Sequence, residues 1–156
     1  MGAGKSTVGS LLAERLAWRF IDLDHRIADR LGLSIPEIFE QHGEAYFRTY
    51  EHQMLQECLA GTQESILSLG GGTLDRKANR ELLRGYHVIW LDARPEFLYA
   101  RADTAGRPLA QQGQNAFMER YRRREPLYRE LAAYRIDVTG KTPDDVVDQI
   151  VARHEA

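Results

Sequence analysis

Four short apolar runs constrain this chain more than any other feature. They are RFIDLD (19–24), ESILSLGGG (64–72), HVIWLDA (87–93) and YRIDVT (134–139), each of strand length and each separated from the next by stretches of helical spacing. Strands that alternate with helices predict an α/β fold with a parallel sheet. Ligands of such a sheet gather at the carboxyl ends of the strands.

The intervening stretches carry their own signals. Val8, Leu11, Leu12 and Leu16 predict an amphipathic helix from Lys5 to about Trp18. DHRIADRLG and SIPEIFEQHG read as two short helices closed by Gly32 and Gly43, the second opened by a capping box of Ser34 and Glu37. Further helices are expected at about 44–59, 76–84, 95–103 and 115–132, and a last one behind Thr142-Pro143. There is no internal repeat or interdomain linker, and 156 residues suit one domain spanning 1–156.

Composition removes several classes of function. A formal charge of -2 argues against a protein that coats nucleic acid. No apolar run approaches the roughly 20 residues of a membrane-spanning helix. The single cysteine, Cys58, rules out an internal disulfide and fits a reducing compartment; it reads as a half-buried helix residue rather than a catalytic thiol. Met1, Gly2 and Ser6 match a myristoylation pattern, but a phosphate loop explains the same residues in more detail. The chain lacks the basic-then-apolar opening of a secretory leader, so a cytoplasmic protein is expected.

GAGKST, residues 2–7, stands immediately before a helix. Small residues at Gly2, Ala3 and Gly4 let successive backbone N–H groups converge on phosphate oxygens, and the helix aims its dipole at the same anion. Lys5 supplies a point charge to the β- and γ-phosphates, Ser6 has the hydroxyl that ligates Mg²⁺, and Thr7 is a further nucleotide-binding candidate. The full phosphate-loop pattern needs one more glycine upstream, which is absent here, so a glycine-rich tail is the competing reading.

Asp22 and Asp24 alternate, which predicts that they occupy opposite sides of a strand tip. One can hold Mg²⁺ through water and the other can accept a proton from an attacking hydroxyl; a solvated strand end is the plainer alternative. Arg48 precedes Glu51 by three residues, either as a surface ion pair or as an arm pinned for an anion. Arg124 is the last of three consecutive arginines, most of which should line a solvated face. Gly70, Gly71 and Gly72 follow a strand directly, which suggests that something approaches their backbone closely. Arg107, in the polar stretch 104–114, could close over phosphates.

In this order and spacing, MGAGKSTVG, FIDLD, SIPEIFEQHGEAYFR..E, LSLGGG, RPL and R.PLY..LA resemble the shikimate kinase family over nearly the whole chain. The resemblance implies a three-layer α/β/α phosphate-loop kinase fold with a five-stranded parallel sheet, four strands of which are visible here, and a lid. It implies a nucleotide loop at 1–7, a substrate-binding region at about 24–60 and a lid at about 104–114. The implied reaction is ATP-dependent phosphorylation of shikimate to shikimate 3-phosphate, in aromatic amino-acid biosynthesis, by a monomer that needs Mg²⁺ and binds neither nucleic acid nor membrane.

By position, Lys5 and Ser6 match the family's phosphate-binding lysine and magnesium-binding serine, and Asp22 its magnesium-associated acid. Asp24 matches the acid that contacts shikimate hydroxyls and is a candidate base. Arg48 and Arg124 match arginines that hold the shikimate carboxylate, Gly70 to Gly72 the glycines beside shikimate, and Arg107 the lid arginine facing ATP. Arg101, Lys141, Thr142 and Pro143 fall near positions that border adenine. Phe39 and Phe47 could wall the ring.

Two departures and two rivals remain. RPLA replaces the commoner RPLL in a shortened lid, and the family's first strand, which lies in the middle of its sheet, has no counterpart. Its absence should leave two neighbouring strands without a ladder partner. A natural protein longer by about ten residues, a strand and its approach, is therefore expected, with Met1 as an internal methionine. The rivals are another small-molecule kinase of this fold, such as a gluconate kinase, and a nucleotide-binding module without catalysis.

Overall fold

The computed structural model describes residues 2–61, 64–104 and 112–155. Its elements run β1 (Arg19–Asp22), β2 (Ser65–Ser68), β3 (Ile89–Asp92) and β4 (Tyr134–Asp137). Around them lie α1 (Lys5–Leu16), α2 (Leu23–Leu31), α3 (Ile35–Ala60), a 3₁₀ turn at Thr73–Asp75, α4 (Lys77–Leu83), α5 (Pro95–Thr104), α6 (Gln114–Leu131) and α7 (Pro143–His154). This is the expected α/β alternation. Among the described residues no helix is long and apolar enough to cross a membrane.

The punctuation residues act as their chemistry requires. Gly32 ends α2 in the left-handed conformation, at φ 65°. Ser34 and Glu37 close a reciprocal capping box, and Thr142 and Asp145 do the same at the start of α7. Gly43 has φ 83° and ψ 169°, so α3 is two helical pieces meeting at one glycine, the two helices read from the sequence. One boundary differs from expectation. The strand stops at Asp22, whose carboxylate accepts the backbone N–H of His25 and caps a helix that begins at Leu23. Asp24 therefore sits in the first turn of α2 and not at a strand tip.

Both strand pairs are parallel. β1 lies against β2 with Asp22 opposite Ser68, and β3 lies against β4 with Asp92 opposite Asp137. Among the described residues the two pairs form separate two-stranded sheets. Between them is a cavity of about 350 Å³ whose walls include Val8, Leu12, Ile66, Leu67, Ile89 and Leu91. Among the described residues no ladder joins the facing edges of β2 and β3.

Two apolar cores form, one on each face of the strands, with Ile66 of β2 entering the first and its neighbour Leu67 the second. One joins Val8, Leu12, Leu98, Phe117, Ile136 and Val147; the other joins Ile21, Leu23, Ile27, Ile38, Met54 and Leu55. Cys58 belongs to the second core and is fully buried rather than half-buried, and burial pushes its thiol pKa up.

Leu23 links this packing to chemistry, because it is fully buried between the two acids at the head of α2. Truncating a buried leucine costs about 2–5 kcal/mol. Leu23→Ala is expected to lower the urea midpoint accordingly, and an unchanged midpoint would show that α2 is not anchored there.

Candidate functional site

The carboxyl ends of β1 and β2 and the N-terminus of α1 open onto one cavity of about 590 Å³. The loop before α1 supplies its phosphate-binding character. Gly2 and Gly4 have φ of 72° and 80°, a region that disfavours side chains. A Cβ on Gly2 would lie 2.5 Å from the Leu98 carbonyl oxygen, so the loop is packed directly on α5. Ala3 is buried there, while Gly4, Lys5, Ser6 and Thr7 line the cavity.

Across from the loop, the Ser6 hydroxyl donates to Asp22 Oδ2 at 2.5 Å. Asp22 Oδ1 is engaged by the His25 N–H, which fixes the carboxylate plane. Two oxygen donors thus meet at the edge of the phosphate loop. Among the described residues no group of three or more His, Cys, Asp or Glu side chains could cage a metal. The Ser6 hydroxyl and the Asp22 carboxylate are instead the kind of donor set that Mg²⁺ takes, one or two protein oxygens completed by waters and substrate phosphates.

The far wall holds the buried charges. Arg48 donates from Nη1 to Glu51 Oε1 at 3.0 Å, and its Nε lies 3.6 Å from Glu44 Oε1. Burial opposes the guanidinium charge, but Glu51, with Asp75 and Glu44 behind it, overcomes this and raises the Arg48 pKa. Glu51 is only 1% exposed, and burial raises its carboxyl pKa despite Arg48 and the Thr73 hydroxyl, which donates to Oε2 at 2.9 Å. The Arg48–Glu51 pair is therefore interior rather than a surface ion pair. Of the three consecutive arginines, Arg122 and Arg123 are exposed as expected, but Arg124 is buried.

The glycine run explains why both arginines arrive. A Cβ on Gly72 would lie 2.4 Å from Arg48 Nη2 and 2.7 Å from Arg124 Nη2, so the two guanidinium tips converge on one α-carbon. A Cβ on Gly70 would lie 2.9 Å from Asp24 Oδ1 and 3.2 Å from Glu51 Oε2. The backbone is bare because side chains close against it. Tyr128, on α6, donates its hydroxyl to the Gly71 carbonyl, and burial pushes its pKa up to about 12. Phe39 and Phe47 sit 4.9 Å apart at the apolar side of the cavity.

Other positions fall differently. Arg101 reaches the phosphate loop, with Nη2 3.6 Å from the place a Gly4 Cβ would occupy. Lys141 donates from Nζ to the Asp137 carbonyl at 2.6 Å and to Gln149 Oε1 at 3.2 Å, holding the turn before α7. Arg107 and most of the expected lid lie outside the described residues.

Thr73, Asp75 and Tyr128 carry no signal of a site role in the sequence, whereas Gln112, which lines the cavity, falls in the stretch expected as a lid. Tyr128 stands in the R.PLY motif, so its position was marked without its function. Thr73 and Asp75 touch the site only through tertiary packing.

A model of the shikimate kinase family matches residues 1–155. The shikimate kinase of Persephonella marina is 38% identical over 155 residues, which span 98% of this chain and 93% of that protein. The shikimate kinase of Pseudomonas paraeruginosa is 42% identical over 157 residues, 98% of this chain and 91% of that one. A solved structure of shikimate kinase from Acinetobacter baumannii in complex with shikimate superposes with a TM-score of 0.91 at 37% identity, covering 97% of this chain and 86% of that one. The shikimate kinase structure from Aquifex aeolicus gives 0.87 at 32% identity, covering 99% and 92%.

The geometry at Gly72 is directly testable. In Gly72→Ala the added methyl must displace two guanidinium groups that are each held by an acid. Binding of a cyclic monocarboxylate is expected to weaken at least about tenfold, because small misplacements of anchoring groups are costly. Nucleoside triphosphate binding should be retained in parallel titration calorimetry. Equal loss of both would show that the turn serves folding rather than the arginine pair.

Proposed function

The chain belongs to the shikimate kinase family, and we propose that its cavity divides the reaction between a phosphate end at Lys5, Ser6 and Asp22 and a substrate end at Asp24, Arg48 and Arg124. The protein is an enzyme that transfers the γ-phosphoryl group of ATP to shikimate, giving shikimate 3-phosphate in aromatic amino-acid biosynthesis. The observation that carries the assignment of residues is the convergence of Arg48 and Arg124 on Gly72, two residues after Gly70, where the Asp24 carboxylate closes on the backbone, in a cavity that the phosphate loop also lines.

The shikimate carboxylate docks on the paired Nη2 groups, where two charged forks suit one planar anion. Phe39 and Phe47 cover the apolar part of the ring. Asp24, against the Gly70 α-carbon, accepts hydrogen bonds from ring hydroxyls and takes the proton of the attacking one. At the other end, Lys5 and the N-terminus of α1 hold the triphosphate.

As the P–O bond to ADP breaks and the new one to the shikimate oxygen forms, the hydroxyl proton passes to Asp24. Ser6 and Asp22 would hold Mg²⁺, which when bound neutralises charge on the β- and γ-phosphate oxygens. Arg101 borders the nucleotide from α5, Lys141 and Thr142 shape the turn beyond it, and Arg107 supplies a lid charge. The rate then follows from positioning and charge neutralisation, with no covalent intermediate on the protein.

Asp24→Asn removes the proton acceptor and preserves shape. Turnover is expected to fall by about 10²–10⁴, the usual contribution of a general base, with ATP affinity retained. The assay compares shikimate with gluconate side by side. Full turnover by Asp24→Asn, or preference for gluconate, would overturn the assignment.

A further inference from the structure

We propose that Asp75 is a positioning residue for shikimate recognition, setting the plane and the free face of Arg124. The inference rests on the reading that Arg124 binds the substrate carboxylate. It concerns a residue for which neither the motifs nor the reaction chemistry requires an acid.

Asp75 is the last residue of the 3₁₀ turn that follows the three glycines, and its backbone N–H donates to the Gly72 carbonyl at 3.1 Å. Its carboxylate grips the side of the Arg124 guanidinium. Nε donates to Oδ1 at 3.0 Å and to Oδ2 at 3.2 Å, and Nη2 donates to Oδ2 at 3.0 Å. A side-on pair of this kind fixes the guanidinium plane, which a single contact does not.

The grip also selects which protons remain. An arginine offers five N–H donors. Asp75 takes the one on Nε and one on Nη2, leaving the second Nη2 proton and both on Nη1. Nη2 is also the atom that crowds Gly72. Arg124 thus presents its remaining edge at the point where Arg48 Nη2 arrives. Arg48 is held by a different contact, a single bond from its Nη1 to Glu51, which leaves its Nη2 toward the glycine. Arg48 is backed by Glu51 and Glu44 and Arg124 by Asp75, and the Nη2 groups of the two arginines meet at the same glycine.

The turn that carries Asp75 is itself secured. Arg80 Nη1 donates to the carbonyls of Leu74 at 2.6 Å and Asp75 at 3.2 Å, and Asn79 Nδ2 donates to the Thr73 carbonyl at 2.8 Å. The second guanidinium near the carboxylate, Arg123 at 3.6 Å from Oδ2, is exposed and adds little. Asp75 therefore acts as a rigid stop between the glycine turn and α6.

Two consequences of this acid oppose each other. Its negative charge weakens attraction for the incoming carboxylate, and its hydrogen bonds aim the arginine. Arg124 is 4% exposed and cannot recover lost partners from bulk water, so orientation outweighs charge.

The test uses steady-state kinetics of Asp75→Asn, Asp75→Ala and Arg124→Lys with shikimate, with its carboxyl-reduced alcohol and with ATP varied in turn. Asp75→Ala is expected to raise the KM for shikimate about tenfold. Asp75→Asn, which keeps one accepting oxygen, should fall between it and the parent. The KM for ATP and the kinetics with the alcohol, which lacks the carboxylate, should change little. A shikimate KM that is unchanged or lowered in both Asp75 variants, with Arg124→Lys raising it, would overturn the role of Asp75 alone. A shikimate KM unaffected by Arg124→Lys would instead overturn the placing of Arg124 on the substrate. Parallel rises for shikimate, the alcohol and ATP would mean that Asp75 only supports the fold.

Discussion

The parallel register of β1 against β2 is the constraint on which the rest of the site depends. With Asp22 opposite Ser68, both strands end at the same level, and the chain leaving each one turns into the same space. One exit becomes the head of α2 with its two acids; the other becomes the glycine run. A one-residue slip would send alternate side chains to the opposite face and separate Asp24 from Gly70. Helices packed on both strands hold the register, with Leu23, Ile27 and Leu55 filling the space behind the acids.

On that frame the site concentrates charge where water is scarce. Burying Glu51, Arg48 and Arg124 is unfavourable unless each has a partner with good geometry. Glu51 serves Arg48 and Thr73, and Asp75 serves Arg124. The result is a network that holds two guanidinium groups in place before any ligand arrives. Preorganisation of this kind suits phosphoryl transfer, in which little covalent chemistry is required of the protein and alignment is most of the task.

Among the described residues the gap between β2 and β3 divides the four strands into two pairs. Each strand keeps one ladder partner, and the first core bridges the gap by packing Ile66 of β2 with Ile89 and Leu91 of β3, while the substrate end rests on β1, β2, α2 and α3. The phosphate loop leans instead on α5 through Gly2 and Leu98. Its order thus comes from a helix contact as much as from any strand.

Much was legible from the residues in order. GAGKST before a helix, the glycine caps, the Ser34 box and the four apolar runs are local signals, because dihedral preference, capping and burial periodicity act over a few residues. The presence of a nucleotide loop, an α/β alternation and a bare glycine turn followed from them. Where local rules compete, the sequence alone misleads: the alternation in FIDLD predicted a strand through Asp24, but the Asp22 cap started the helix first. The composition of RRR likewise could not say that Arg124 turns inward while Arg122 and Arg123 face water. That choice belongs to tertiary structure, because it depends on an acid 49 positions away on another turn, and a buried charge goes only where such a partner waits.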